Sequence, residues 1–215
     1  MVSTPNDANL LQYCLLHSAA PSPVLSELER ETYLSTLHPQ MLSGPTQGML
    51  LRMVSQMIRP LRILEIGTFT GYSAICLAQG LPEGGLLHTI EVDDELTPII
   101  DRYVRKAGLE RQIVLHIGDA KAVIPLLDET FDLVFLDAGK MDYALHYHLV
   151  LPKLRLGGFL LADNVLWNGK VVSDTKDASA RALRDFNAMI HADERVDNLL
   201  LPLRDGLLLV RKKSS

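Results

Sequence analysis

The sequence predicts an α/β fold: a mostly parallel sheet with helices on both faces, ending in an antiparallel hairpin. Three observations carry this expectation. From residue 61 onward, short apolar runs alternate with helical stretches, the pattern of successive βαβ units. The run at Leu61, Ile63, Leu64 and Ile66 stops at Gly67, and Gly71 opens a helical segment, so strand, glycine turn and helix follow one another. Near the end, the link from Leu201 to Gly206 is too short for a crossover helix, which makes the last two strands antiparallel neighbours.

Taken in order, residues 8–17 and 24–37 read as helices separated by Pro21-Ser22-Pro23, with Ser22 available near the second N-terminus. After the loop Met41-Leu42-Ser43-Gly44-Pro45, a third helix is expected over 46–58. Its Met49, Met53 and Met57 fall at helical spacing, which core packing explains. Seven strands are expected, at 61–66, 86–91, 113–117, 131–136, 159–162, 196–201 and 206–210. Helices at 72–79, 94–106, 120–127, 142–151 and 175–191 alternate with them, and Gly108 stands at a C-cap position. Gly157-Gly158 reads as the turn before the fifth strand. The whole chain, 1–215, reads as a single domain, with a helical lead-in over 1–58 and an α/β core over 59–215.

A length of 215 residues suits one core, and 47% hydrophobic with 22% charged residues is a soluble globular composition. The net charge of −5, without a dense Lys/Arg stripe, argues against nucleic acid as a partner. Arg211-Lys212-Lys213 reads as a solvated end. No Lys or Arg precedes Arg30, which speaks against a signal or transit peptide. No apolar run approaches the ~18–20 residues of a membrane span. Cys14 and Cys76 both lie in apolar helical surroundings and are expected to be buried free thiols, so a reducing, cytoplasmic location is the expectation.

The glycine turn indicates the ligand. A dinucleotide fingerprint, G-x-G-x-x-G, uses its second glycine to let backbone approach a pyrophosphate. Here Phe69 holds that place and Glu65 lies inside the strand end, giving E-x-G-x-x-x-G. A carboxylate there repels a diphosphate and suits a cation, which points to S-adenosylmethionine (SAM), with its ammonium and sulfonium. Further acids end the other strands. Glu91 stands 24 residues beyond Gly67, near the spacing at which an acid grips ribose hydroxyls. Gly118-Asp119-Ala120 follows the third strand, Asp137-Ala138-Gly139-Lys140 the fourth and Asp163-Asn164 the fifth.

Any one of these acids alone is equally well an N-cap or turn residue. As a set they crowd like charges on one rim, which calls for a cation or ligand. Asp137, Asp163 and Asn164 are hard oxygen ligands suited to Mg²⁺ or Ca²⁺. Lys140 fits a general base, a substrate-orienting cation or an ordinary salt-bridge partner. His146 and His148 share an expected helix at a spacing that sends their rings to different faces, so surface or substrate-pocket positions are expected rather than metal ligation. Trp167, in the loop after Asp163-Asn164, reads as core packing, with stacking on an aromatic acceptor as the alternative.

Together, Met-Leu-Ser-Gly at 41–44, Leu-Glu-Ile-Gly-Thr-Phe-Thr-Gly-Tyr-Ser at 64–73, Leu-Asp-Ala-Gly-Lys at 136–140, Ala-Asp-Asn-Val-Leu-Trp-Asn-Gly at 162–169 and Asp-Gly-Leu at 205–207 carry a resemblance. From about His17 to Arg211 the chain resembles the cation-dependent, catechol/caffeoyl-CoA type of SAM-dependent O-methyltransferase, especially its bacterial members. The resemblance implies a Rossmann-like class I methyltransferase fold. It makes Glu65 and Ser73 contacts for the methionine end of SAM, with help from Ser43, Gly67 and Thr68. Glu91 would hold the ribose, and Asp119 and Ala120 would edge the adenine. Asp137, Asp163 and Asn164 would hold a divalent cation (Mg²⁺, with Ca²⁺ or Mn²⁺ as alternatives), Asp137 also bordering the cofactor, and Lys140, the catalytic lysine, would share the catalytic role with Asp137. A homodimer and a small phenolic substrate are implied as well.

Two positions depart from the family pattern. Gly139 stands where the caffeoyl-CoA branch has an acid, and Leu208 where the catechol branch has a Glu that binds the second hydroxyl. The absence of Lys and Arg from the first 29 residues argues for a simple catechol or caffeate over a CoA thioester, whose phosphates need basic partners. The rival readings are a methyltransferase of this fold with a vestigial metal site or a non-catechol acceptor, an NAD(P) oxidoreductase, and a non-catalytic SAM-binding protein. Phe69 disfavours the second and Lys140 with the Asp/Asp/Asn set disfavours the third.

Overall fold

The computed structural model describes residues 8–214, so positions 1–7 of the expected lead-in and residue 215 lie outside the described residues. The strands are β1 (Arg62–Ile66), β2 (Leu86–Glu91), β3 (Ile113–Ile117), β4 (Phe131–Leu136), β5 (Leu154–Asp163), β6 (Val196–Leu201) and β7 (Leu207–Lys212). They form one seven-stranded sheet in the order β3-β2-β1-β4-β5-β7-β6. All pairs from β3 to β5 are parallel, and β7 runs antiparallel between β5 and β6. The order reverses at β1, which is flanked by β2 and β4. Ligands of open α/β sheets bind at such a point, beyond the C-terminal strand ends.

The helices are α1 (Ala8–Leu16), α2 (Pro23–Ser35), α3 (Gly44–Ile58), α4 (Tyr72–Ala78), α5 (Thr97–Lys106), α6 (Ala120–Leu126), α7 (Tyr143–Val150) and α8 (Ala178–Ala192). They cover both faces because the central strands are apolar on both. Along β4, Leu133 and Phe135 join a core with Ile63, Tyr72, Ile75 and Ile100, while Val134 and Leu136 join another with Tyr143, Tyr147, Leu160 and Phe186. A strand buried this way has no solvent face to set an alternation, hence its near-continuous apolar run. Among the described residues, no helix is long and apolar enough to cross a membrane.

Several expectations are corrected. Gly157-Gly158 lies inside β5, which begins at Leu154 instead of Phe159. The register against β4 jumps from Phe131↔Leu154 to Leu133↔Phe159, so the glycines form a bulge within the strand. Gly157 supplies the positive φ of 73°, and a Cβ on Gly158 would press on backbone oxygens of Arg155 and Asp132. Helix α8 starts at Ala178 because Asp177 caps it, accepting the Ala180 N–H at 3.1 Å. Met53 and Met57 on α3 are exposed instead of packed in the core, and Cys14 is exposed while Cys76 is buried.

Candidate functional site

The floor of the site is the meeting of β1 and β4. The Gly67 N–H donates to the Ile90 carbonyl at 3.0 Å, and the Asp137 N–H to the Ile66 carbonyl at 2.9 Å. Gly67 has φ 98°, and a Cβ on it would lie 2.0 Å from the Asp137 carbonyl oxygen, so only glycine lets the two strand ends close. The turn then passes through Phe69 at φ 51°, and Gly71 donates back to the Thr68 carbonyl at 3.0 Å. Glu91, at the end of β2, braces this turn. Its carboxylate accepts from the Phe69 N–H at 2.7 Å, the Val92 N–H at 2.9 Å and the Asp93 N–H at 3.0 Å.

Beneath the turn lies Glu65, fully buried. Thr68 Oγ1 and Thr89 Oγ1 are 2.5 Å apart, and Thr89 donates onward to Glu65 Oε2 at 2.6 Å. With the Thr89 proton committed to Glu65 Oε2, the Thr89 oxygen accepts from Thr68, so the hydroxyl chain runs from Thr68 through Thr89 to Glu65. Oε1 has no hydrogen-bond partner of ordinary geometry among the described residues. Burial pushes the Glu65 carboxyl up to about 8; the Ser73 and Thr89 hydroxyls work against this, and the nearby charges of Asp137 and Glu91 add to it. A buried acid with one unsatisfied oxygen beside a glycine turn is suited to receive a ligand cation.

The second half of the site gathers on β4, β5 and the short 3₁₀ turn Lys140–Asp142. Lys140 Nζ donates to Asp137 Oδ1 at 2.8 Å, Asn164 Oδ1 at 2.9 Å and the Tyr143 hydroxyl at 2.7 Å. Tyr143 is fully buried and donates to the Asp163 carbonyl at 2.9 Å. Burial, followed by the charges of Asp137 and Asp163, holds its hydroxyl well above the ordinary range, so it remains a phenol. Asn164 adopts φ 57°, which turns the chain sharply just after Asp163. Asp163, 2% exposed, accepts from Gln47 Nε2 at 2.5 Å through Oδ2, and its Oδ1 has no partner among the described residues. Burial first, then the Asp137 charge, pushes its carboxyl up to about 6.

Four oxygen-bearing groups thus converge, and three of them (Asp137, Asp163, Asn164) are the hard donors a divalent cation prefers. The unpaired, buried Asp163 Oδ1 fits such a group, since an acid left in that condition is costly without a positive partner. Among the described residues, no cluster of three His, Cys, Asp or Glu side chains is arranged to hold a metal.

The remaining expected positions are also located. Ser43 is buried at the start of α3 and makes no side-chain cap, while Ser73 is buried in the first turn of α4. Asp119 caps α6 by accepting the Lys121 N–H at 2.9 Å, and Ala120 behind it is buried. Trp167 is half-buried against the core, donating to Asp177 at 3.1 Å. His146 is buried on α7, whereas the sequence suggests a surface or pocket position; only His148 is exposed. Leu208 is fully buried in the core, paired with Ala162 across β5 and β7.

Sequence reasoning passed over Gln47, Thr89, Tyr143 and Arg204. Thr89 faces Glu65 across the β1–β2 pair, a relation that strand alignment reveals. Gln47 and Asp163 are 116 positions apart, and no local spacing signals their contact.

A sheet of this order, with a cation-suited acid beneath its first glycine turn, is that of the class I methyltransferases, which use SAM. A model of the O-methyltransferase family matches residues 16–213, and the chain belongs to that family as a SAM-dependent O-methyltransferase of the catechol/caffeoyl-CoA type. It is 34% identical to a catechol O-methyltransferase of Niastella koreensis over 77% of each chain. It is 33% identical to caffeoyl-CoA O-methyltransferase 2 of Populus trichocarpa, over 94% of this chain and 88% of that one. Among solved structures, the O-methyltransferase TomG of Streptomyces achromogenes in complex with SAM superposes with a TM-score of 0.89 at 29% identity, covering 100% of both chains.

Proposed function

We propose that the enzyme methylates a hydroxyl of a small phenolic with adjacent oxygens, a catechol or caffeate, using a divalent cation such as Mg²⁺ held by Asp137, Asp163 and Asn164. The observation that carries this reading is the meeting of Asp137 and Asn164 at Lys140 Nζ, with the buried Asp163, whose Oδ1 is unpaired, near enough to feel the Asp137 charge. When bound, SAM supplies a sulfonium methyl open to in-line displacement. The cation supplies acidity, lowering the pKa of a phenol that is otherwise near ~10.

In this reading the chain's own residues bind, orient and move a proton. Glu65 Oε1 receives the ammonium of SAM, with Ser43, Gly67, Thr68 and Ser73 around the methionine end and Asp137 at its border. Glu91 reaches the ribose, and Asp119 and Ala120 edge the adenine. Lys140 Nζ, fixed by Tyr143, would take the acceptor's proton in its neutral amine form, and Trp167 borders the acceptor. Holding the acceptor in line is itself worth up to ~7–11 kcal/mol.

We further read the described chain and its terminal residues as one catalytic unit, homodimeric and cytoplasmic. The exposed Leu10, Tyr13, Leu15 and Leu16 of α1 support a dimer, since an apolar helix face needs a cover. The deciding experiment is turnover of a catechol panel with Mg²⁺ and with EDTA, repeated for Asp163→Ala. Loss of activity under chelation and in the variant is expected. Undiminished turnover in EDTA would favour a vestigial metal site, and no turnover of the panel under either condition a non-catechol acceptor.

A further inference from the structure

Behind Asp163 lies a relay that ties it, and the segment leading into α3, to one surface residue. Arg204, in the β6–β7 turn at φ 50°, donates through Nη1 to Gln47 Oε1 at 2.6 Å and to the Ser43 carbonyl, and through Nη2 to the Leu42 carbonyl at 3.4 Å. Gln47, 2% exposed in the first turns of α3, then donates through Nε2 to Asp163 Oδ2 at 2.5 Å. The amide has only one satisfactory orientation here. Arg204 offers donors alone and an ionised Asp163 accepts alone, so turning the amide over would set donor against donor and acceptor against acceptor. With Oδ2 occupied, Asp163 has one oxygen, Oδ1, without a partner.

We infer that Gln47 is a positioning residue for Asp163, and that Arg204 acts through Gln47 to set the enzyme's affinity for its divalent cation. The inference rests on the reading of Asp163 as a cation ligand. Removing the amide leaves the buried carboxylate free to rotate and short of a donor, which weakens its grip on a metal. Partners of this kind, behind the ligating residues, typically contribute about 10- to 100-fold in metal affinity. The contacts of Arg204 with the Leu42 and Ser43 carbonyls add a second consequence. The segment leading into α3 and the metal ligand share one anchor, so Arg204 also influences the loop beside the cofactor.

The test uses Mn²⁺ as probe, with binding to the full-length protein measured by electron paramagnetic resonance and S-adenosylhomocysteine binding measured by calorimetry. Gln47→Met, which keeps the length and loses both hydrogen bonds, should weaken Mn²⁺ about 10- to 100-fold and leave S-adenosylhomocysteine affinity in metal-free buffer within about twofold, a change of ~0.4 kcal/mol. Arg204→Met, at the surface, should weaken Mn²⁺ as well. In the double variant the arginine change should add nothing further to Mn²⁺ binding, because it acts through an amide no longer there. Additive losses would overturn the relay, as would a Gln47→Met protein that binds Mn²⁺ like wild type. A parallel loss of Mn²⁺ and S-adenosylhomocysteine affinity in Gln47→Met, together with a lowered Tm, would show a merely structural residue and overturn the inference. Wild-type protein that binds no Mn²⁺ would overturn both this inference and the metal reading beneath it.

Discussion

In the proposed reading, Glu65 makes cofactor binding sensitive to pH, in a way that can be worked out from its burial. In the ligand-free protein its carboxyl stands at about 8, chiefly because it is removed from water. At pH 7 most of it is protonated, and ionising it to meet the ammonium of the cofactor costs about 1.4 kcal/mol for each unit below that value. Binding of S-adenosylhomocysteine should therefore release about one proton at pH 6.5, and affinity should rise about tenfold per pH unit up to about pH 8, where an α-amine begins to lose its own proton.

Glu65→Gln removes the charge. Its affinity should be flat with pH, close to wild type near pH 6 and about 10- to 100-fold weaker near pH 8, where a charge-assisted hydrogen bond worth ~1.5–3 kcal/mol is fully expressed. Calorimetry in two buffers of different ionisation enthalpy reads both the proton count and the affinity. No proton release by wild type, or parallel pH profiles for the two proteins, would refute the reasoning. Stability should move in the opposite sense. The folded carboxyl is raised above its unfolded value of 4.5, so the folded state loses stability as pH climbs from there to about 8. The Gln variant should accordingly be the more stable protein at pH 8, by at most about 5 kcal/mol.

Three further outcomes are expected. Glu91→Ala should weaken S-adenosylhomocysteine about tenfold or more by calorimetry and also lower the Tm, because three backbone N–H groups lose their acceptor; unchanged affinity would remove Glu91 from the site. Caffeate and simple catechols should be turned over with a higher kcat/KM than caffeoyl-CoA, with mixed regiochemistry because Leu208 offers no acid to sort the two hydroxyls; a preference for the thioester in steady-state assays would contradict the argument from missing basic residues. Light scattering should give twice the chain mass of 23.9 kDa, and a monomer mass at working concentration would dispose of the dimer.

Much of this architecture was legible because its signals are local. The apolar runs of β1, β2 and β4 and the glycines at 67 and 71 mark the sheet and its turn without any knowledge of neighbours. Glu65, Glu91, Asp137 and Asp163 were visible as acids at strand ends, which is a statement about position along the chain. What escaped depends on contacts across it. The bulge at Gly157-Gly158 looks like a turn in sequence, because both need a residue that tolerates positive φ and close backbone. Cys14 and the α3 methionines have apolar neighbours in sequence yet face outward, since a helical pattern identifies a face and not what covers it. His146 is buried on α7 because Tyr143 and Tyr147, on either side, turn that face into the core. The Gln47–Arg204 contact spans 157 positions and is set only by the hairpin's return across the sheet.

That return orders events during synthesis. Residues Glu65, Gly67, Glu91 and Asp137 all lie on or just beyond the first four strands to leave the ribosome, and β1 sits between β2 and β4, each of which can pair with it as soon as it emerges. The Ser43 carbonyl, however, waits for Arg204, which is made 161 residues later. At ~5–20 residues per second this is a delay of roughly 8–30 s. Until β7 arrives, β5 has no partner on that side and presents an open sheet edge, the surface on which nascent chains pair with one another. A chain arrested before the hairpin therefore has its glycine turn assembled, the Gln47 contact to Asp163 unbraced and its most adhesive strand exposed.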